Sequence, residues 1–197
     1  MSGGVATRAA AAALSLALIA GPAFAAKTDD ASETSARSFV QGFYDWYLGQ
    51  VLTGAARQLK NNSAKGFDFI DAIRRRPNWF SPDLRRLLEE DVAAASRCKG
   101  DVVGLDWDPF LESQDPAPGY TASKVEKTAN GFRVSVDQHN KDVGGIRNPA
   151  AQADVTFVDH HWMFVDFVQE PADPKARQGL AALLKSFERS GEYKCQG

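Results

Sequence analysis

From Ser35 to about Lys60, apolar side chains return every third or fourth residue. Phe39, Phe43, Trp46 and Tyr47 share one face with Gln50, while Val40, Tyr44, Leu48, Val51 and Ala55 widen it. This spacing predicts a long helix whose apolar arc is buried on more than one side. Gly42 and Gly49 each weaken that helix by about 1 kcal/mol relative to alanine, and they leave room for a neighbouring backbone. The polar stretch Asn61 to Gly66 ends it. Phe67, Ile70 and Ile73 repeat at helical spacing as far as Arg76 and stop before Pro77, which predicts a short second helix. Ser81, Pro82 and Asp83 form a stronger start signal. Leu84, Leu87, Leu88, Val92 and Ala95 supply the buried stripe of a third helix that runs to about Cys98.

The period then changes. Gly104 to Gly119 is rich in Asp and Pro, which predicts a structured loop around Trp107, Phe110 and Leu111. Tyr120 to Thr128 and Phe132 to His139 flank Asn130-Gly131, a strong hairpin signal. A second loop, Asn140 to Pro149, leads to residues 153–170, where two β-rich runs meet at Asp159-His160-His161. Asp173 to Ser190 carries Leu180, Leu183, Leu184 and Phe187 and predicts a closing amphipathic helix. Three helices, four consecutive antiparallel strands and a last helix indicate an α+β fold, with helices packed on one face of a curved antiparallel sheet. No repeat or linker divides residues 35–197, so they are expected to form one domain.

The chain's N-terminal end bears on its address. Met1 to Arg8 carries one positive charge, Ala9 to Ala20 is apolar and uncharged, and Ala23-Phe24-Ala25 has the small-x-small form cut by signal peptidase. Residues 1–25 are therefore expected to be a signal peptide and residues 26–34 a flexible mature N-terminus. The product would be periplasmic or secreted and soluble, because no later run reaches the about 20 apolar residues of a membrane span. Removing the leader takes away only Arg8 of 23 basic residues and none of 25 acidic ones, leaving a net charge of −3. That balance argues against nucleic acid as a partner. Two cysteines, Cys98 and Cys195, remain, and an oxidising compartment would pair them, the alternative being two free buried thiols.

Three stretches also carry a likeness: Ser38 to Leu48 (Ser-Phe-Val-Gln-Gly-Phe-Tyr-Asp-Trp-Tyr-Leu), Asp108 to Asp115 (Asp-Pro-Phe-Leu-Glu-Ser-Gln-Asp) and Trp162 to Asp166 (Trp-Met-Phe-Val-Asp). In that order they resemble a bacterial domain-of-unknown-function family of exported and lipoprotein domains. Its members are similar to the cone-shaped α+β fold of the nuclear-transport-factor-two-like superfamily. The resemblance covers roughly Ser35 to Glu170 and implies a long helix lying across a curved sheet that encloses a pocket. It brings no catalytic residues with it.

Candidate chemistry centres on Asp166. Strand alternation puts Trp162, Phe164, Asp166 and Val168 on one face and Met163, Val165 and Phe167 on the other. A carboxylate beside aromatic neighbours would be desolvated and could act as a general acid or base, with His139 or Tyr44 assisting. The structural alternative is an Asp166 near a sheet edge that accepts hydrogen bonds from a loop or pairs with an arginine. Tyr44, Trp46, Tyr47, Trp107, Phe110, Trp162 and Phe164 are candidate pocket residues, the structural alternative being core. Arg74, Arg75 and Arg76 with Trp79 and Phe80 form a basic-aromatic patch that suits an acidic partner or phosphate groups, or is a pair of solvated helix ends. His139, His160 and His161 fall on a strand and at a turn, so no metal site is expected, and no cofactor motif is present.

The first functional reading is a non-enzymatic exported binding module for a small apolar ligand or a protein, the latter a toxin or envelope protein met by an inhibitor or immunity-type domain. The alternative is a pocket enzyme, an isomerase, dehydratase or hydrolase working through Asp166. A structural envelope protein is a third reading, and a homodimer through Met163, Val165 and Phe167 is a further expectation.

Overall fold

The long helical pattern at the start of the chain forms α1 (Glu33–Lys60), and its beginning is set by a reciprocal pair of serines. Ser32 Oγ accepts from Ser35 N–H at 3.2 Å and Ser35 Oγ from Ser32 N–H at 3.1 Å. The computed structural model describes residues 30–60, 66–98, 101–114, 116–140, 145–169 and 178–195. The expected signal peptide and residues 26–29 of the expected flexible segment lie outside them. After α1 come α2 (Phe69–Arg75), a short 3-10 turn (Pro77–Trp79) and α3 (Pro82–Arg97). The strands β1 (Gly119–Lys127), β2 (Phe132–Asn140), β3 (Gly145–Val158) and β4 (His161–Gln169) follow, and α4 (Leu180–Ser190) closes the order. Asp68 caps α2 through a complete capping box with Asp71, and Ser81 caps α3 through Leu84 N–H. No helix among the described residues is long and apolar enough to cross a membrane.

The four strands pair antiparallel in the order β1-β2-β3-β4. The fold is α+β with N-terminal helices and a C-terminal helix, but the cone implied by the resemblance does not form. The sheet is an open meander that is not curled, and β1 and β4 are its two edges. What replaces an enclosed pocket is a filled core of aromatic rings. Phe43 lies 4.7 Å from Phe164, 5.4 Å from Tyr47, 5.4 Å from Phe110 and 5.8 Å from Phe80 between ring centres.

Both edges are occupied by other parts of the chain. On β1, Gln41 of α1 donates to Tyr120 O at 3.2 Å and accepts from Ala122 N–H at 2.8 Å, as a further strand would. On β4, Ser81 N–H donates to Phe164 O at 2.8 Å, and Gly179 forms a bridge to Val168. Covered edges of this kind resist pairing with another chain.

Three local expectations change. β3 starts at Gly145, within the expected second loop, and pairs Asn140 with Gly145 and Ile146 with His139. The close approach expected at Gly42 and Gly49 occurs at Gly54 instead, where an added Cβ would lie 2.7 Å from Phe67 N. Most consequential is a register shift between β3 and β4, where Asp154 pairs with Asp166 but Val155 pairs with Phe164. The extra residue, Val165, breaks the alternation. Phe164 and Phe167 therefore both enter the core, stacked at 5.0 Å, while Asp166 faces the side that carries Asp154 and Arg133. Phe167 is thus not part of an outer apolar face.

The pairing of Cys98 with Cys195 is formed, across 97 positions. It lies beside a small second cluster of Ala94, Cys98, Val103 and Tyr193.

Candidate functional site

The Asp-Pro-rich loop between α3 and β1 is the segment on which the site is built. Asp108 Oδ1 accepts from Phe110 N–H at 2.9 Å and Leu111 N–H at 3.1 Å, so the carboxylate folds the chain into a tight turn. The turn is closed by Asp108 N–H donating to Ser113 O at 3.2 Å, and Glu112 takes up left-handed backbone angles with φ 49°. The other oxygen, Oδ2, accepts a short hydrogen bond from the hydroxyl of Tyr47 on α1. Tyr44, one position closer to the start of α1 than Asp45, donates to Phe110 O at 2.7 Å. Two tyrosines of the long helix thereby moor the loop.

Between this loop, α1 and the start of α2 lies a cleft of about 480 Å³. Val51, Phe67, Phe69, Leu105, Trp107 and Leu111 give it apolar walls, and Asp108, Asp68, Ser113 and Gln114 its polar groups. Burial pushes the Asp108 carboxyl up to about 6, against the opposing pull of the Tyr47, Leu111 and Phe110 hydrogen bonds. Burial, followed by the charge of Asp108, also holds the Tyr47 phenol well above its ordinary range. The far end of the loop is held by a second carboxylate, Asp91 of α3, whose oxygens share Leu105 N–H at 3.2 and 3.3 Å. Burial raises Asp91 to about 6 as well.

The expected pocket residues are dispersed. Of them, Trp107 lines the cleft and Tyr47 supports it from beneath. Tyr44, Phe110 and Phe164 are fully packed into the core. Trp162 is buried too, its Nε1–H donating to Ser35 Oγ at 3.1 Å, which ties the second hairpin to the start of α1.

Asp166 caps a helix. Its Oδ1 accepts from Ala181 N–H at 2.9 Å, in the first turn of α4, and from Phe167 N–H at 2.9 Å. An added Cβ on Gly179 would lie 2.0 Å from Oδ2, so only glycine fits that close approach. Burial raises its pKa despite these two bonds. His139 shares a 2.8 Å hydrogen bond with Thr121 Oγ1 on the neighbouring strand. His160 and Asp159 form the left-handed turn of the second hairpin, with φ 62° and 48°, and His161 Nδ1 lies 3.1 Å from Asp159 O. Among the described residues, no group of three His, Cys, Asp or Glu side chains is placed to hold a metal ion.

The basic-aromatic patch assembles in part. Arg75 stacks over Phe67 at 5.0 Å, and Arg76 lies over Trp79 at 5.1 Å and Trp46 at 5.4 Å. Trp46 therefore belongs to this surface, whereas Phe80, 2 % exposed, belongs to the core. The sequence placed Asp108 only in an Asp- and Pro-rich loop, not at a cleft wall, and gave Asp91 no role. The signal for Asp108 was its position two residues before an apolar pair, Phe110-Leu111, where a carboxylate can accept both amides. No protein-family model, curated protein or solved structure matches the chain.

Proposed function

We propose that this protein is an exported, non-enzymatic binding module that takes a small apolar ligand into the cleft beside Trp107. The observation that carries this reading is the cleft itself: about 480 Å³, with apolar and aromatic walls beside the half-buried, hydrogen-bonded carboxylate of Asp108 and the aspartates Asp68 and Asp106. Ligand sites are typically concave spaces of about 300–1,000 Å³ with a few placed polar groups. Binding is favoured over catalysis through Asp166 because its Oδ1 is taken up by backbone N–H groups, that of Ala181 in the first turn of α4 and that of its own neighbour Phe167 in β4. Export rests on the leader pattern of residues 1–25.

Calorimetric titration of the purified protein with a panel of small aromatic and alicyclic compounds tests the reading. Saturable binding to some member is expected, and Trp107→Ala should abolish it without altering the circular dichroism spectrum. A panel without saturable binding, or an unchanged affinity in Trp107→Ala, refutes it. N-terminal sequencing of the exported product should start at Ala26.

A further inference from the structure

The end of α2 presents three consecutive arginines, all exposed, in a chain whose net charge is −2. Two of them are fixed in place by rings. The Trp46 and Trp79 indoles meet edge to face, 5.5 Å apart at 73°, and Arg76 lies over both. Arg75 lies over Phe67, and its Nη1 donates to Gln50 Oε1 at 3.2 Å. A guanidinium laid on a ring keeps the rest of its planar N–H edge available to an acceptor, and its ordering entropy has already been spent in folding.

Among the described residues no carboxylate forms an ion pair with Arg74, Arg75 or Arg76. Arg86, on the next helix, is by contrast held by Glu90 at 2.8 Å and Asp83 at 3.9 Å. Backbone docking is restricted nearby, because part of each sheet edge is taken, by Gln41 at Tyr120 and Ala122 and by Ser81 and Gly179 at Phe164 and Val168. What the arginine shelf itself offers a partner is side chains.

From this arrangement we propose that the Arg74-Arg75-Arg76 shelf, with Trp46, Phe67 and Trp79 beneath it, docks an acidic segment of a partner protein. Carboxylates of that segment meet the forks of Arg75 and Arg76 in pairs of N–H···O bonds, and Arg74 adds long-range attraction. A protein segment fits better than an anionic bilayer. The exposed carboxylates of Asp45 and Asp83 border the shelf in sequence, and the chain as a whole is acidic. A continuous negative surface would repel those surroundings, whereas a single acidic strand touches the arginines alone.

Fluorescence anisotropy of a labelled oligoglutamate peptide, titrated with the disulfide-intact protein, tests the proposal. Saturable binding that weakens steeply with added salt is expected, reduced about tenfold or more by Arg75→Glu with Arg76→Glu. Arg74→Glu with Arg75→Glu, which leaves the Arg76 stack intact, should show the same direction if the first variant folds poorly. Arg76→Lys keeps the charge but loses the fork and should weaken binding by a smaller factor. Trp107→Ala should bind the peptide as the wild type does, so failure of the cleft reading is separable from failure of this one. Absence of peptide binding at low salt, affinity unchanged by charge reversal, or tighter arginine-dependent binding to phosphatidylglycerol vesicles than to the peptide would each overturn it.

Discussion

The loop that walls the cleft is held by two aspartates, the buried Asp91 at Leu105 and the half-buried Asp108 at Phe110 and Leu111, and the two ends of this stretch are built differently. Around Leu105, Asp91 offers both oxygens to one backbone donor, Leu105 N–H, and the Tyr193 hydroxyl is its side-chain partner. Its surroundings are a cluster of only Ala94, Cys98 and Val103 with Tyr193 packed on it, backed by the Cys98–Cys195 disulfide. Gly104, at φ 76°, lets the chain pass so close that an added Cβ would lie 2.2 Å from the Asp91 carboxylate. At the other end Asp108 has three donors and rests against the large aromatic core. A small apolar cluster cannot hold a loop by packing alone, so a covalent link and a glycine do it. Where many rings converge, hydrogen bonds to an already rigid helix are enough, and the carboxylate is left at the cleft wall.

The largest expected effect separates the covalent end from the packed one. Cys98→Ser should lower stability by about 2–5 kcal/mol, since the bridge closes a long loop. Chemical denaturation measures the loss, and ligand affinity at the cleft should survive in the fraction that remains folded. Equal damage to both would break the distinction. Tyr47→Phe removes one donor from Asp108 and should cost about 1.5–3 kcal/mol, as expected for a bond to a charged acceptor, and weaken cleft binding as well. A stability loss without any change in binding would reduce Asp108 to a turn former. Gly104→Ala should destabilise by about 1–2 kcal/mol through its positive φ and the Asp91 contact. Asp166→Ala, which removes the α4 cap, should cost about 1 kcal/mol and leave both loop ends and the cleft unchanged.

The smallest effect is in pH dependence, and its sign is opposite to that of a salt-bridged carboxylate. Burial raises Asp91 and Asp108 to about 6, from about 4 in the unfolded chain. Between those values the folded chain retains protons that the unfolded chain has released. The contribution of these two groups to stability is therefore full at about pH 4 and below, falls as pH rises towards about 6, and is level above that. Asp108→Asn and Asp91→Asn should each flatten part of the slope. If each aspartate's own contribution, obtained as wild type minus its Asn variant, instead rises with pH over that window, the carboxylates are stabilised as anions and the reading of both ends is wrong.

Much of the architecture was legible in local signals. Ser81-Pro82 started α3, Asn130-Gly131 turned the first hairpin, and the period change after Cys98 separated helices from strands. These are short-range effects, in which a residue acts on its immediate neighbours. The bulge at Val165 was not legible, because a one-residue register shift leaves alternating hydrophobicity nearly intact until the partner strand is known. That omission misplaced Phe167 and aimed Asp166 towards the wrong neighbours. The open sheet was not legible either, because what its edges meet is set at long range: Gln41 and Ser81 lie far from their strand partners in sequence. Leu105 N–H and Tyr47 are likewise distant from the aspartates they meet, so the carboxylates could be seen but their roles could not.

The two covered edges bear on how the protein behaves in a crowded compartment. An exposed row of strand amides invites copies of a chain to add to one another without limit, most readily when concentration is high and chaperones are few. Here a glutamine side chain on one side, and a serine amide and a glycine bridge on the other, occupy part of that row. A polymer growing through those positions would have to displace these contacts first, so the native fold resists self-assembly there.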